Sequence, residues 1–261
     1  MAEHNVPRIF APSRVVRRRR RMLARSAKER ARFVLDDAVE DVIERLAFVR
    51  HEPARALLVG DYGLALGSAL QAKGSDVVQA DIAAFFDHFA FDLERPYPHS
   101  GFDFIAVLGL LDAVNDLPGA LIHMRNALAP GGLVIASFVG GQSLPRLRAA
   151  MLTADGDRPA ARIHPLVDAR AAPQLLQRAG WKDPVVDTHT LKVRYSSLDR
   201  LVQDLRDQGL TSALADAPPP LGKAAVERAR EAFLDQSDED GKVSEVFEII
   251  TLTGRRSLAG T

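Results

Sequence analysis

Three glycines follow a short apolar run in "ALLVGDYGLALGSAL", residues 56–70, at Gly60, Gly63 and Gly67. Glycines where a buried strand turns into a helix let backbone amides approach a phosphate or a nucleoside cofactor. The spacing GxxGxxxG satisfies neither the dinucleotide fingerprint nor the phosphate-loop pattern. An acid stands 21 residues beyond Gly60, at Asp81, closing the run "DVVQAD". That separation is close to the ~20 residues that place a carboxylate on a ribose hydroxyl. Two readings follow from spacing alone. The glycines and Asp81 form a nucleoside site, or they form a strand-to-helix turn and a helix cap. Asp61, beside Gly60, and Ile82, beside Asp81, belong to the same candidate site. Proton transfer could fall to His123, His164 or His189; His164, in "RIHPLVD", lies in a segment placed to cover such a site.

The elements that must position these residues read as alternating apolar runs and helical stretches beyond Pro53, the pattern of a parallel sheet with crossover helices. "ARALLVG" (54–60), "DVVQAD" (76–81), "FDFIAVLGLL" (102–111) and "GLVIASFVG" (132–140) are buried strands. "DLPGALIHMRNALAPGG" reads as a helix entered through Asp116 and Pro118, and "DARAAPQLLQRAGW" as one ended by Gly180. "DPVVDTHTLKVRY" and "SEVFEIITLTG" alternate more strongly and come last, which predicts an antiparallel pair at one edge. In such a sheet the ends of the first two strands meet where ligands bind. Arg194 and Tyr195 end the sixth strand, where edge packing accounts for them at least as well as a site role.

The chain has 261 residues, 47% of them apolar, and no cysteine, which excludes disulfides, thiolate metal sites and cysteine nucleophiles. Without an apolar stretch of membrane-spanning length or a signal-type leader, a soluble, cytoplasmic protein is expected. Net charge is zero, yet residues 1–32 hold 11 Lys or Arg against Glu3 and Glu29, a balance of +9 set against −9 in the rest. Arg17 to Arg21 are consecutive. Apolar residues near helical spacing continue from this block through the amphipathic stretch 33–49, which predicts a basic helical segment docked on an acidic body. No aromatics interleave the arginines, so an acidic protein partner is favoured over nucleic acid or a membrane surface.

The stretch "FDFIAVLGLLDAVNDLPGALIHMRNALAPGGLVIASFVGGQSLPRLRAAM" resembles the middle of class I S-adenosylmethionine-dependent methyltransferases. "HPLVDARAAPQLLQRAGWKDPVVDTHTLKVRYSSLDRLVQDLRDQGLTSAL", the closing "FEIITLTG" and the opening "IFAPSRVVRRRRRMLARS" narrow the likeness. They are similar to the branch holding malonyl-carrier-protein methyltransferases of biotin synthesis and, more closely, bacterial homologues of a mitochondrial complex I assembly factor.

The resemblance implies a Rossmann-like, doubly wound α/β fold with a mostly parallel seven-stranded sheet, an antiparallel C-terminal edge pair and an added N-terminal helical segment. It implies a division into residues 1–50, the basic helical segment, and 51–261, the methyltransferase-like domain, with 143–166 and 196–242 as covering insertions. The implied cofactor is S-adenosylmethionine. The family's loop D-x-G-x-G-x-G falls on Leu58, Gly60, Tyr62 and Leu64, so Tyr62 and Leu64 replace glycines and Gly63 stands one place out of register. By the same match Asp81 would hold the adenosine ribose, Asp92 would face the adenine amine and Leu108 would line the site, with Asp112 at its mouth. The implied function is methyl transfer to a small-molecule or protein acceptor. The alternative is a non-methylating complex I assembly-type protein, or an arginine-modifying enzyme, that keeps the fold. No metal is implied.

Overall fold

The computed structural model describes residues 8–25, 30–85 and 88–258. Glu29, counted in the basic segment's charge balance, and the first seven residues lie outside them. The seven strands are β1 (Arg55–Val59), β2 (Asp76–Asp81), β3 (Phe89–Ala90), β4 (Phe102–Leu108), β5 (Leu128–Val139), β6 (Lys182–Tyr195) and β7 (Val243–Arg255). They form one sheet in the order β3-β2-β1-β4-β5-β7-β6. β1 to β5 run parallel, while β7 is antiparallel to both β5 and β6. This is the fold that the resemblance implied, and the late antiparallel pair is where its alternating pattern predicted.

Alternate residues of the same strands feed two different cores. Leu57 and Val59 of β1, Ile105 and Val107 of β4, and Val134 and Ala136 of β5 pack beneath α4 (Leu117–Ala127) and α6 (Ala172–Arg178), with Trp181. Ala56 and Leu58, Phe104 and Ala106, and Leu133 and Ile135 face the other way. There they meet α1 (Pro12–Leu23), α2 (Phe33–Phe48) and α3 (Ala65–Gln71). Burial on both faces is why these strands read as unbroken apolar runs. A third core joins β7 to α5 (Pro145–Asp155), α7 (Leu198–Asp207) and α8 (Lys223–Leu234).

The helix entered at Asp116 is capped as expected, its side chain accepting from the Gly119 amide at 2.9 Å. The basic segment departs from one continuous helix. It forms α1 and α2 as separate helices, and α1 lies across the carboxyl ends of the strands. Its entry is fixed by residues 9–11, which pair with 213–215 through Ala11 N to Ala213 O at 3.0 Å and Ala215 N to Ile9 O at 2.9 Å. Two residues carry it inward: Met22 is fully buried, and Leu23 nearly so.

Candidate functional site

The loop after β1 is a tight turn held by its own residues. Gly60 has φ +95°, and a Cβ there would stand 2.4 Å from the Leu108 carbonyl oxygen, so the approach of β1 to β4 demands glycine. Leu64 has φ +58°, the left-handed conformation that glycine adopts freely and that strains leucine. The acid lost at Leu58 has a local substitute. Asp61 is buried, and its carboxylate accepts from the Gly67 amide at 2.8 Å, pinning the loop to the start of α3. Burial pushes the Asp61 carboxyl above its ordinary range, against the amide that holds it down. Gly63 does not face the cleft. A Cβ there would meet Arg32 and Leu35 at 3.2 and 3.4 Å, on the α2 side.

Tyr62 carries the largest change. Its ring is buried between two guanidinium groups, Arg19 at 4.9 Å and Arg30 at 4.7 Å from the ring centre. Burial raises the pKa of its hydroxyl. Stacked arginines over an aromatic face are attractive, and more so when removed from water.

Arg19 also reaches Asp81. Its Nε donates to both carboxylate oxygens at 3.0 and 3.1 Å, and its Nη2 donates to Oδ2 at 2.6 Å and to the Gly60 carbonyl at 3.1 Å. The side chains are 5% and 0% exposed. Asp81 Oδ1 also accepts from the Ala83 amide at 3.2 Å, the bond expected of a capping acid. It caps the turn after β2, and its remaining capacity points into the cleft, where an arginine of the same chain takes it. One residue earlier, Arg18 Nη2 donates to Asp112 Oδ2 at 2.7 Å and its Nη1 to the Thr211 carbonyl at 2.8 Å.

These contacts divide the cleft into three spaces. The first, about 340 Å³, is lined by Val16 and Arg20 of α1 with Ile82, Asp92, Leu93 and Leu110. Asp92 itself is exposed and accepts from the Glu94 amide at 2.9 Å. The second, beside Tyr62, Arg19, Leu108 and Gly109, is only about 20 Å³. The third, about 170 Å³, is lined by Asp112, His164 and apolar residues of α5 and α7. Gly60, Asp81, Ile82, Asp92 and Leu108 therefore converge on one cleft, and His164 adjoins it.

His123 lies within α4, and His189, Arg194 and Tyr195 have structural roles. His189 meets Asp37 at 2.8 Å, far along β6, and Arg194 meets Asp238 and Asp240 at 2.8 and 3.0 Å. Tyr195 is buried in the β7 core. No group of residues among those described has the makings of a metal site.

Arg18 and Arg19 were not singled out from the sequence, because five consecutive arginines read as a solvated block. A signal was present. Val16, Arg19 and Met22 recur at three-residue spacing, as do Val15 and Arg18, which puts both arginines on the apolar stripe of α1.

A sheet in this order with antiparallel β7, and a glycine turn and acids at the carboxyl ends of β1 and β2, define a class I methyltransferase of Rossmann-like architecture. The chain belongs to the methyltransferase-domain family, whose model matches residues 27–185. It is 31% identical over 168 residues to the rat "Arginine-hydroxylase NDUFAF5, mitochondrial", covering 61% of this chain and 48% of that protein. It is 29% identical over 222 residues to "Malonyl-[acyl-carrier protein] O-methyltransferase 1" of Coxiella burnetii, covering 80% of this chain and 76% of that one. The chain spans about half the length of the hydroxylase relatives it matches. A solved structure from Bacillus halodurans C-125, classed as a methyltransferase, superposes with a TM-score of 0.53 at 12% identity, covering 83% of this chain and 99% of that one.

The cleft fits the adenosyl cofactor of this family at one end only. About 340 Å³ is open between Ile82 and Asp92, but Asp81 is taken by Arg19 and only about 20 Å³ remains beside Tyr62. With α1 in this position, the middle of the cleft does not accept the cofactor.

Proposed function

We propose that this chain is an S-adenosylmethionine-dependent methyltransferase whose cleft is closed here by its own first helix. The observation that carries the reading is the pairing of a buried acid at the end of β2 with a 340 Å³ space between Ile82 and Asp92, the two ends of an adenosine seat. Residues 1–50 act in this reading as the closure of the domain 51–261, and segments 143–166 and 196–242 cover the acceptor side. Cofactor binding goes with withdrawal of Arg19 from Asp81. An activated methyl donor asks the protein mainly for alignment of the acceptor. His164, beside Asp112 in the adjoining cavity, is the group placed to take a proton. The acceptor is a small molecule or a protein side chain.

A second reading has its own support. Tyr62, Arg19, Arg30 and Asp81 form a closure in which Arg19 and Asp81 neutralise each other, as expected of a fold kept without methyl transfer. Such a chain would be an assembly-type or arginine-modifying protein, in line with what the hydroxylase relative is named for. Arg17, Arg20 and Arg21, exposed on α1 and without an ion pair among the described residues, would then face an acidic protein partner.

Calorimetric titration with S-adenosylhomocysteine separates the two. The first reading expects weak binding by the native chain and binding at least tenfold tighter by Arg19→Ala, since a competitor has been removed. Silence from both at millimolar ligand overturns it and leaves the second.

A further inference from the structure

The cavity beside the cleft has a chemistry of its own. Leu144, Leu147, Met151, Val202, Leu205 and Leu210 make its walls apolar. Its volume of about 170 Å³ is close to the ~150 Å³ of an engineered apolar cavity that accepts benzene, so it is the size of a single ring.

One end of the cavity is polar. The His164 side chain is 3% exposed, and neither ring nitrogen has a hydrogen-bond partner among the described residues. Its Nε2 stands 3.5 Å from Asp112 Oδ2, and Phe10 packs edge-on against the ring with centres 5.3 Å apart. Asp112 Oδ1 is likewise unpartnered. Buried polar atoms in a folded protein are nearly all satisfied, so three unsatisfied atoms at one cavity end mark a place where something else completes the bonding. An imidazole offers at least one N–H donor and a carboxylate oxygen only accepts, and a hydroxyl is the complement of both.

Charge narrows the ligand further. Burial pushes the Asp112 carboxyl up, but the Arg18 guanidinium and His164 prevail and hold it at about 2, so it is ionised at neutral pH. The cations nearby are committed. Arg18 donates to Asp112 and to the Thr211 carbonyl. Arg162, two residues before His164, donates to Asp155 through Nε and Nη2 and to the Pro219 carbonyl through Nη1. A ligand carboxylate would meet an ionised Asp112 and find no free counterion, an arrangement that burial makes costly.

We infer that this cavity binds an uncharged, single-ring-sized apolar molecule bearing a hydroxyl, a phenol or compact alcohol, with the hydroxyl between His164 and Asp112 Oδ1. Its role as the methyl acceptor rests on the function proposed above; its binding does not.

The test uses the whole chain without cofactor and three probes of one shape: 4-ethylphenol, 4-ethylanisole and 4-ethylbenzoate. Calorimetry should show one site for the phenol, at least tenfold weaker binding of the ether, which lacks the donor, and none of the benzoate. Met151→Trp, which fills the cavity, should abolish phenol binding. His164→Phe should remove the preference for phenol over ether while the ether still binds. The inference is overturned if the benzoate binds as tightly as the phenol, if the phenol does not bind, or if Met151→Trp leaves binding undiminished. Because no adenosyl ligand is present, failure of the methyltransferase reading leaves this result standing.

Discussion

Removing the Arg19 guanidinium would strand a carboxylate that has no access to water. Asp81 is fully buried and takes three hydrogen bonds from Arg19, at 3.0, 3.1 and 2.6 Å. Deleting one partner of a buried ion pair costs ~3 to 5 kcal/mol, because the surviving charge has lost both solvent and counterion. The Ala83 amide remains on Oδ1 at 3.2 Å, which favours the lower half of that range. We therefore expect Arg19→Ala to destabilise by about 3 to 4 kcal/mol, a large share of the ~5 to 15 kcal/mol that holds a domain folded. Asp81→Leu should cost a similar amount by stranding Arg19. The double variant should cost less than either, since replacing a whole buried pair by apolar groups is often nearly neutral. Guanidinium denaturation followed by fluorescence of Trp181, the only tryptophan and itself buried, reads all three. A coupling energy of at least about 2 kcal/mol is expected from the cycle. Costs below about 1 kcal/mol for each single variant, with no coupling, would refute the reasoning by showing the pair to be solvated.

Three further outcomes follow from the same geometry. The Asp112 carboxyl is held at about 2 in the folded chain against 3.8 ordinarily, so it stabilises the fold above pH ~4 and that contribution, about 2 kcal/mol, is lost as pH falls through 2; Asp112→Asn should show a correspondingly flatter acid limb in pH-dependent melts. Leu64→Gly should stabilise by up to about 1 kcal/mol, relief of the φ +58° conformation outweighing the loss of a 39% exposed side chain, and a lower melting temperature would contradict this. Met22→Ala removes the fully buried anchor of α1 at a cost of ~2 to 5 kcal/mol and should speed tryptic cleavage at Arg17 to Arg21, whereas an unchanged digestion rate would place the hold on α1 elsewhere.

The sheet was legible because its signals are local and redundant. Apolar runs closed by glycine or acid gave β1, β2, β4 and β5, and Asp116-Leu117-Pro118 marked a helix entry that the structure caps as expected. The alternating 182–195 and 243–255 gave the antiparallel edge, since each strand has one face covered less completely. The convergence of Gly60, Asp81 and Ile82 followed from topology alone, because strand ends in a doubly wound sheet meet at the switch in order. What sequence did not show was who sits on Asp81. Arginine is by type a surface residue, and its burial is decided by carboxylates 62 and 94 positions away. The role of Asp61 was hidden for a related reason. An acid following Gly60 reads as a ligand contact, and only the folded turn shows it committed to the Gly67 amide. The split into α1 and α2 escaped periodicity because arginines continue a helical pattern without dictating its end.

The anchoring of α1 also sets an order of events during synthesis. The four groups that hold Arg18 and Arg19 arrive in sequence: the Gly60 carbonyl, Asp81, Asp112, then the carbonyl of Thr211, which is 193 positions after Arg18. The strand-like pairing of residues 9–11 waits for 213–215. A ribosome adding ~5 to 20 residues per second emits the interval up to Thr211 in roughly 10 to 40 s. Throughout that time α1 lacks the Thr211 carbonyl and the pairing with 213–215, although the β1 and β2 ends can already have met beneath it. Arg18 and Arg19 are thus made well before the last of the groups that meet them.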